Sequence, residues 1–85
     1  MFLHVTEAKH THDYRLWLAF NNGEFGEFDL EHELWGEVFE PLLDKTLFAT
    51  VFVDGEMDTV AWVNGADLAP EFLLDLLHNQ RQRAA

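Results

Sequence analysis

The 85-residue chain contains no cysteine and no serine. Disulfides, thiol nucleophiles and cysteine-ligated zinc or iron–sulfur centres are excluded, and so is serine hydrolase chemistry. Positive charge is scarce. Five Lys and Arg stand against sixteen Asp and Glu, a formal net charge of -11. Such a surface repels polyanions, so direct nucleic-acid binding is not expected; only Arg81 and Arg83 offer a local basic patch. No apolar run approaches the roughly 20 residues of a membrane span. Met1 to Val5 lacks the basic start and apolar stretch of a secretory signal. A reducing cytoplasm fits the missing cysteine. There is no internal repeat, low-complexity segment or linker.

What remains is rich in large apolar side chains. Hydrophobic residues make up 48% and aromatics 14%, with eight Phe and three Trp. A chain this short sits near the lower size limit for independent stability, and buried aromatics supply the most area per residue. One domain is expected over residues 1–79, with 80–85 as a frayed tail.

Phe2 to Ala8 alternates loosely and reads as a strand, with His10 to Asp13 as the following turn. Arg15 to Phe20 and Phe25 to Leu30 read as a hairpin. Its register follows from the pattern. A two-residue Asn22-Gly23 loop would set Leu18 against Glu27 and Leu16 against Asp29. A three-residue loop, Asn21-Asn22-Gly23, sets Leu18 against Gly26 and Leu16 against Phe28. The second gathers Tyr14, Leu16, Leu18, Phe20, Phe28 and Leu30 on one face, so it is selected. Trp17, Ala19 and Phe25 are then left on the other face, to be covered or to serve as a contact surface.

Asp29 is placed to cap a short helix from Leu30 to Trp35 that ends at Gly36. Pro41 limits Glu37 to Leu43 to a turn of helix. Ala49 to Val53 favours a strand, Asp54-Gly55 opens a turn, and Thr59 to Val63 returns. Asn64-Gly65 breaks the strand, and Pro70 starts a helix with Phe72, Leu73, Leu76 and Leu77 as its apolar stripe. The expected fold is α+β. It has a mostly antiparallel sheet of four or five strands packed by the C-terminal helix, with a short helix after the first hairpin.

Four patches occur in order: Phe20-Asn21-Asn22-Gly23, Gly36 to Leu42, Phe48 to Val51, and Trp62 to Leu73. Together they resemble the bacterial family called domain of unknown function 2442, over roughly Val5 to Leu77. The last patch is the specific one. Its signature positions here are Trp62, Asn64, Gly65, Asp67 and Pro70, and Val63 stands where the family usually has proline. The resemblance implies a small α+β domain, sometimes alone and sometimes fused to a helix-turn-helix. Such domains are often encoded beside another small protein, which implies an antitoxin-like or regulatory role. It carries over no catalytic residues.

Between Leu16 and Asp44 there are eight acids and no Lys or Arg. Glu27, Glu31, Glu33, Glu37 and Glu40, with Trp35 as an anchor, form a candidate docking face for a basic protein partner. The plainer alternatives are a solvated acidic face and Trp35 in the core. The signature cluster reads either as a ligand site at a strand-to-helix junction or as backbone punctuation: Trp62 in the core, Gly65 at a positive φ, Asp67 bonding local N–H groups and Pro70 starting the helix. Each residue type has a local backbone role, which favours punctuation. His10 and His12, two apart on a strand, would face one way and offer two metal ligands, with a third from His4, Asp13 or elsewhere. Two exposed histidines are the simpler reading. No pair of acids is singled out for catalysis and no calcium-loop spacing is present. A non-catalytic interaction module without cofactor or metal is therefore expected. A small-molecule or metal-binding domain at the junction, or an accessory domain for a transcriptional regulator, are the alternatives.

Overall fold

A computed structural model describes residues 2–83. Three strands, β1 (Val5–His12), β2 (Arg15–Phe20) and β3 (Phe25–Asp29), form an antiparallel sheet in the order β1-β2-β3. A one-turn helix α1 (Lys45–Phe48) leads into a second two-stranded sheet, β4 (Phe52–Asp54) and β5 (Thr59–Ala61). The long helix α2 (Pro70–Arg83) closes the fold. Among the described residues no helix is long and apolar enough to cross a membrane.

The β2–β3 hairpin has the register selected by its hydrophobic pattern: Leu18 pairs with Gly26 and Leu16 with Phe28. Gly23 takes φ +90, a left-handed conformation that a side chain would strain. Leu16, Leu18, Phe20, Phe28 and Leu30 are buried on the inner face. They pack with Phe48, Val60, Trp62, Leu73 and Leu77 into one core. Full burial of each large side chain contributes about 1.5–3 kcal/mol before entropy is counted. The Gly26 site admits α2 closely, since a Cβ there would lie 2.8 Å from a Leu77 methyl.

The structure corrects the expected fold in six places. The strands form two sheets of three and two, not one of four or five. The second hairpin abuts β1, where Val5 N–H donates to the Asp58 carbonyl at 3.0 Å. A register shift at Thr6 bends β1 there, so pairing does not propagate. β1 itself continues through the expected turn to His12, and the reversal falls at Asp13, which takes φ +47.

The helix expected over Leu30 to Trp35 is a three-residue 3-10 turn, Glu31–Glu33. The Asp29 carboxylate accepts the Glu31 N–H at 2.8 Å but caps nothing longer. The strand expected from Ala49 begins only at Phe52. Asp44 caps α1 by accepting the Thr46 N–H, and Thr50 donates its hydroxyl to the Leu47 carbonyl. These local bonds outweigh the strand propensity of Thr50 and Val51. Likewise β5 ends at Ala61, two residues before Val63.

Residues 80–83 are helical rather than a frayed tail, while Ala84 and Ala85 lie outside the described residues. The Gln80 side-chain amide accepts from Asp29 N–H and donates to the Asp29 carbonyl, each at 2.8 Å. Arg81 donates to the Phe25 carbonyl. Glu24 and Leu30 bond backbone groups of β2 and the turn before it. By alternation Phe25, Glu27 and Asp29 therefore turn theirs outward. The last turns of α2 thus cover part of the free edge of the first sheet, as exposed edges require.

Candidate functional site

Chain segments far apart in sequence meet beside the start of α2. Buried Leu34 and Leu42 pin the two ends of the segment between them to the core. The chain turns at Gly36 and lifts Trp35 and Val38 outward, 74% and 49% exposed. Phe39 stays half-buried. The Asn64 side-chain amide donates to the Val38 carbonyl at 3.1 Å and ties this segment to the strand-to-helix junction. Leu68 and Phe72 form the facing wall. Between the walls lies a largely apolar cavity of about 400 Å³, with Glu33 and Glu37 among its lining.

A second, more polar cavity of about 210 Å³ continues along α2, lined by Asp29, His32, Glu33, Leu76, Asn79 and Gln80. Glu33 lines both, so the two cavities adjoin beside α2 and are described together as a groove. No Lys or Arg lines either cavity. Glu33 and Glu37 make no ion pair among the described residues. The groove therefore combines an apolar floor with uncompensated negative charge, the arrangement that attracts a cationic group carried on an apolar body.

The docking residues proposed from the sequence divide. Glu33, Trp35 and Glu37 line the groove; Glu31 and Glu40 are exposed on the same stretch but outside the lining. Glu27 lies on the opposite face of the first sheet, 2.5 Å from Arg15 Nε, and this hydrogen bond holds its carboxyl below the ordinary range. Elsewhere Glu24 is bound by His78 at 2.6 Å and is lowered by it. Asp13 is lowered by the Lys45 ammonium at 3.1 Å.

The signature residues build the junction. Trp62 is buried, and its indole N–H donates to the Phe48 carbonyl at 2.8 Å. Gly65, at φ +90, donates its N–H to the Trp62 carbonyl, and Asn64 Oδ1 accepts the Ala66 N–H. Pro70 is the first residue of α2. Asp67 departs from expectation. Its carboxylate makes no hydrogen bond among the described residues, while its backbone bridges to Ala61. Thr59 donates its hydroxyl to the Leu68 carbonyl and fixes the groove wall from below.

The two histidines do not converge. A bulge at Thr11 sets His10 opposite Leu16 on the inner face and His12 opposite Arg15 on the outer. His10 packs edge-on to Phe48, with ring centroids 5.7 Å apart, and its Nε2–H donates to the Asp13 carbonyl. Among the described residues no three His, Asp or Glu gather as a metal site.

Sequence reasoning missed Val38, Phe39, Leu68 and Phe72 as groove residues. The signal was present in α2. Leu73 and Leu77 form one i, i+4 row, buried in the core; Phe72 and Leu76 form the adjacent row and line the groove.

No curated protein and no solved structure matches this chain. A family model described as "Protein of unknown function (DUF2442)" matches residues 5–79, nearly the whole chain, and the protein belongs to that family.

Proposed function

We propose that this protein is a non-catalytic, cytoplasmic interaction module that takes a basic, apolar-anchored segment of another protein in the groove along α2. The observation that carries the reading is the groove itself: an apolar floor between Trp35, Val38 and Phe72, with Glu33 and Glu37 beside it and no cation. Interfaces of this kind place apolar anchors centrally and use rim charge to orient the partner. The shortage of positive charge argues against a nucleic-acid ligand, and the antitoxin-like or regulatory role is an expectation taken from the family resemblance alone. Regulation of transcription would then run through a separate DNA-binding subunit.

Selection of displayed random peptides tests this. Enriched peptides are expected to combine a large apolar residue with neighbouring Lys or Arg. They should weaken roughly tenfold or more against a Glu33→Lys/Glu37→Lys variant, and weaken as salt rises. No enrichment, or peptides that bind the variant equally, would overturn the reading. A second reading, a small cationic ligand, is favoured by the cavity size, which lies within the range of small-molecule pockets. It predicts stabilisation by amphipathic amines without any peptide enrichment.

A further inference from the structure

We propose that the outer face of the first sheet is where a second copy of this chain docks. Two cross-strand rows define the face. Lys9, Trp17 and Glu27 stand side by side across β1, β2 and β3; Glu7, Ala19 and Phe25 form the next row. The inner face carries the core, with α2 packed over Gly26. Phe25 on the outer face is 57% exposed, although the sheet interior offers apolar cover only one residue away. It packs beside Trp17 at 6.0 Å between centroids, and the Lys9 ammonium sits 5.3 Å from the Trp17 ring. The patch is thus a pre-ordered aromatic pair with a cation at its border.

The charge of this face names the occupant. Lys9 and Arg15, two of the five Lys and Arg of the chain, lie here, each beside an acid: Lys9 with Glu7 at 3.9 Å and Arg15 with Glu27. The face is close to neutral and alternates in sign, on a chain of net charge -11. Two copies repel each other through most orientations. On this face the repulsion is locally weakest, because its acids stand beside cations. With a two-fold axis along β2, β1 of one copy lies over β3 of the other. Lys9 then meets Glu27 across the interface, twice, and Trp17 packs beside its own symmetry mate. Sheets stacked this way sit about 10 Å apart with strands within about 30° of alignment. A strongly basic partner is better served by the acidic groove; a second copy meets the repulsion any acidic partner meets, but it alone brings the Lys9 and Glu27 row that answers this face twice. The face is only three strands wide at about 4.8 Å each. That falls short of the roughly 800 Å² per partner of a tight dimer, so the association is weak and reversible.

Sedimentation equilibrium from about ten micromolar to one millimolar, at moderate salt, tests this. The weight-average mass is expected to rise from 9.9 kDa toward twice that value. Phe25→Lys and, separately, Ala19→Arg should hold the mass at the monomer value with unchanged circular dichroism, while Phe72→Asp in the groove should self-associate like the parent. A parent chain that stays monomeric to one millimolar overturns the proposal. So does a dimer that folded Phe25→Lys and Ala19→Arg variants form equally well.

Discussion

Trp62 shows how one side chain holds two parts of the fold. Its ring is buried against Phe48 at 5.7 Å, and its N–H satisfies a carbonyl at the end of α1. Trp62→Phe keeps the aromatic body but removes the shorter of two hydrogen bonds to that carbonyl, which keeps only the Val51 N–H at 3.3 Å, and leaves a void. The expected loss is about 2–4 kcal/mol, read as a melting temperature lower by roughly 10–20 °C. Glu24 makes a different case, on the surface. The His78 hydrogen bond, assisted by the charges of His78 and Arg81 and by Asn22, lowers its carboxyl against the opposing effect of desolvation. A lowered folded-state value means the stabilisation is complete above the unfolded value, about pH 4.3, and is lost as pH falls through the folded one. Glu24→Gln is therefore expected to melt below the parent near pH 6, and the gap should close in acid. A gap that persists unchanged to pH 3 would remove the ion pair from the account.

At the scale of elements, the legible parts were those where period and turn chemistry agreed. Leu18 opposite Gly26 could be read because the two-residue loop sets acids among the leucines. The Pro70 start of α2 could be read from proline at the first helical position. Three features could not. α1 was hidden because Thr50 to Val53 favour a strand, and the Asp44 cap with the Thr50 hydroxyl on the Leu47 carbonyl outweighs them at its start. The end of β1 was hidden because His10 looks like a turn residue until Phe48 gives its ring a packing partner. The groove was hidden because its walls are distant in sequence and Phe72 and Leu76 pass for core. The last turns of α2 are the element with the clearest job. Gln80 presents an amide that pairs with Asp29 as a neighbouring strand would. Gln80→Ala/Arg81→Ala should open the edge of β3 and shorten the lag before thioflavin-positive aggregation. Equal lag times in the variant and the parent would refute this protective role.

Taken whole, the molecule separates its surfaces by charge. The groove along α2 is acidic without Lys or Arg, and the outer sheet face is close to neutral, with Asp29 its one acid outside the two ion pairs. A basic partner and a second copy would therefore occupy different sides, and one need not exclude the other. The groove has a mechanical side as well. Its two walls are separate stretches of chain, and the Asn64 amide on the Val38 carbonyl is a thin brace between them. Whatever settles between Trp35 and Phe72 becomes a splint across that joint, so its binding energy is returned as resistance to heat. A rise in melting temperature then reports occupancy of the groove.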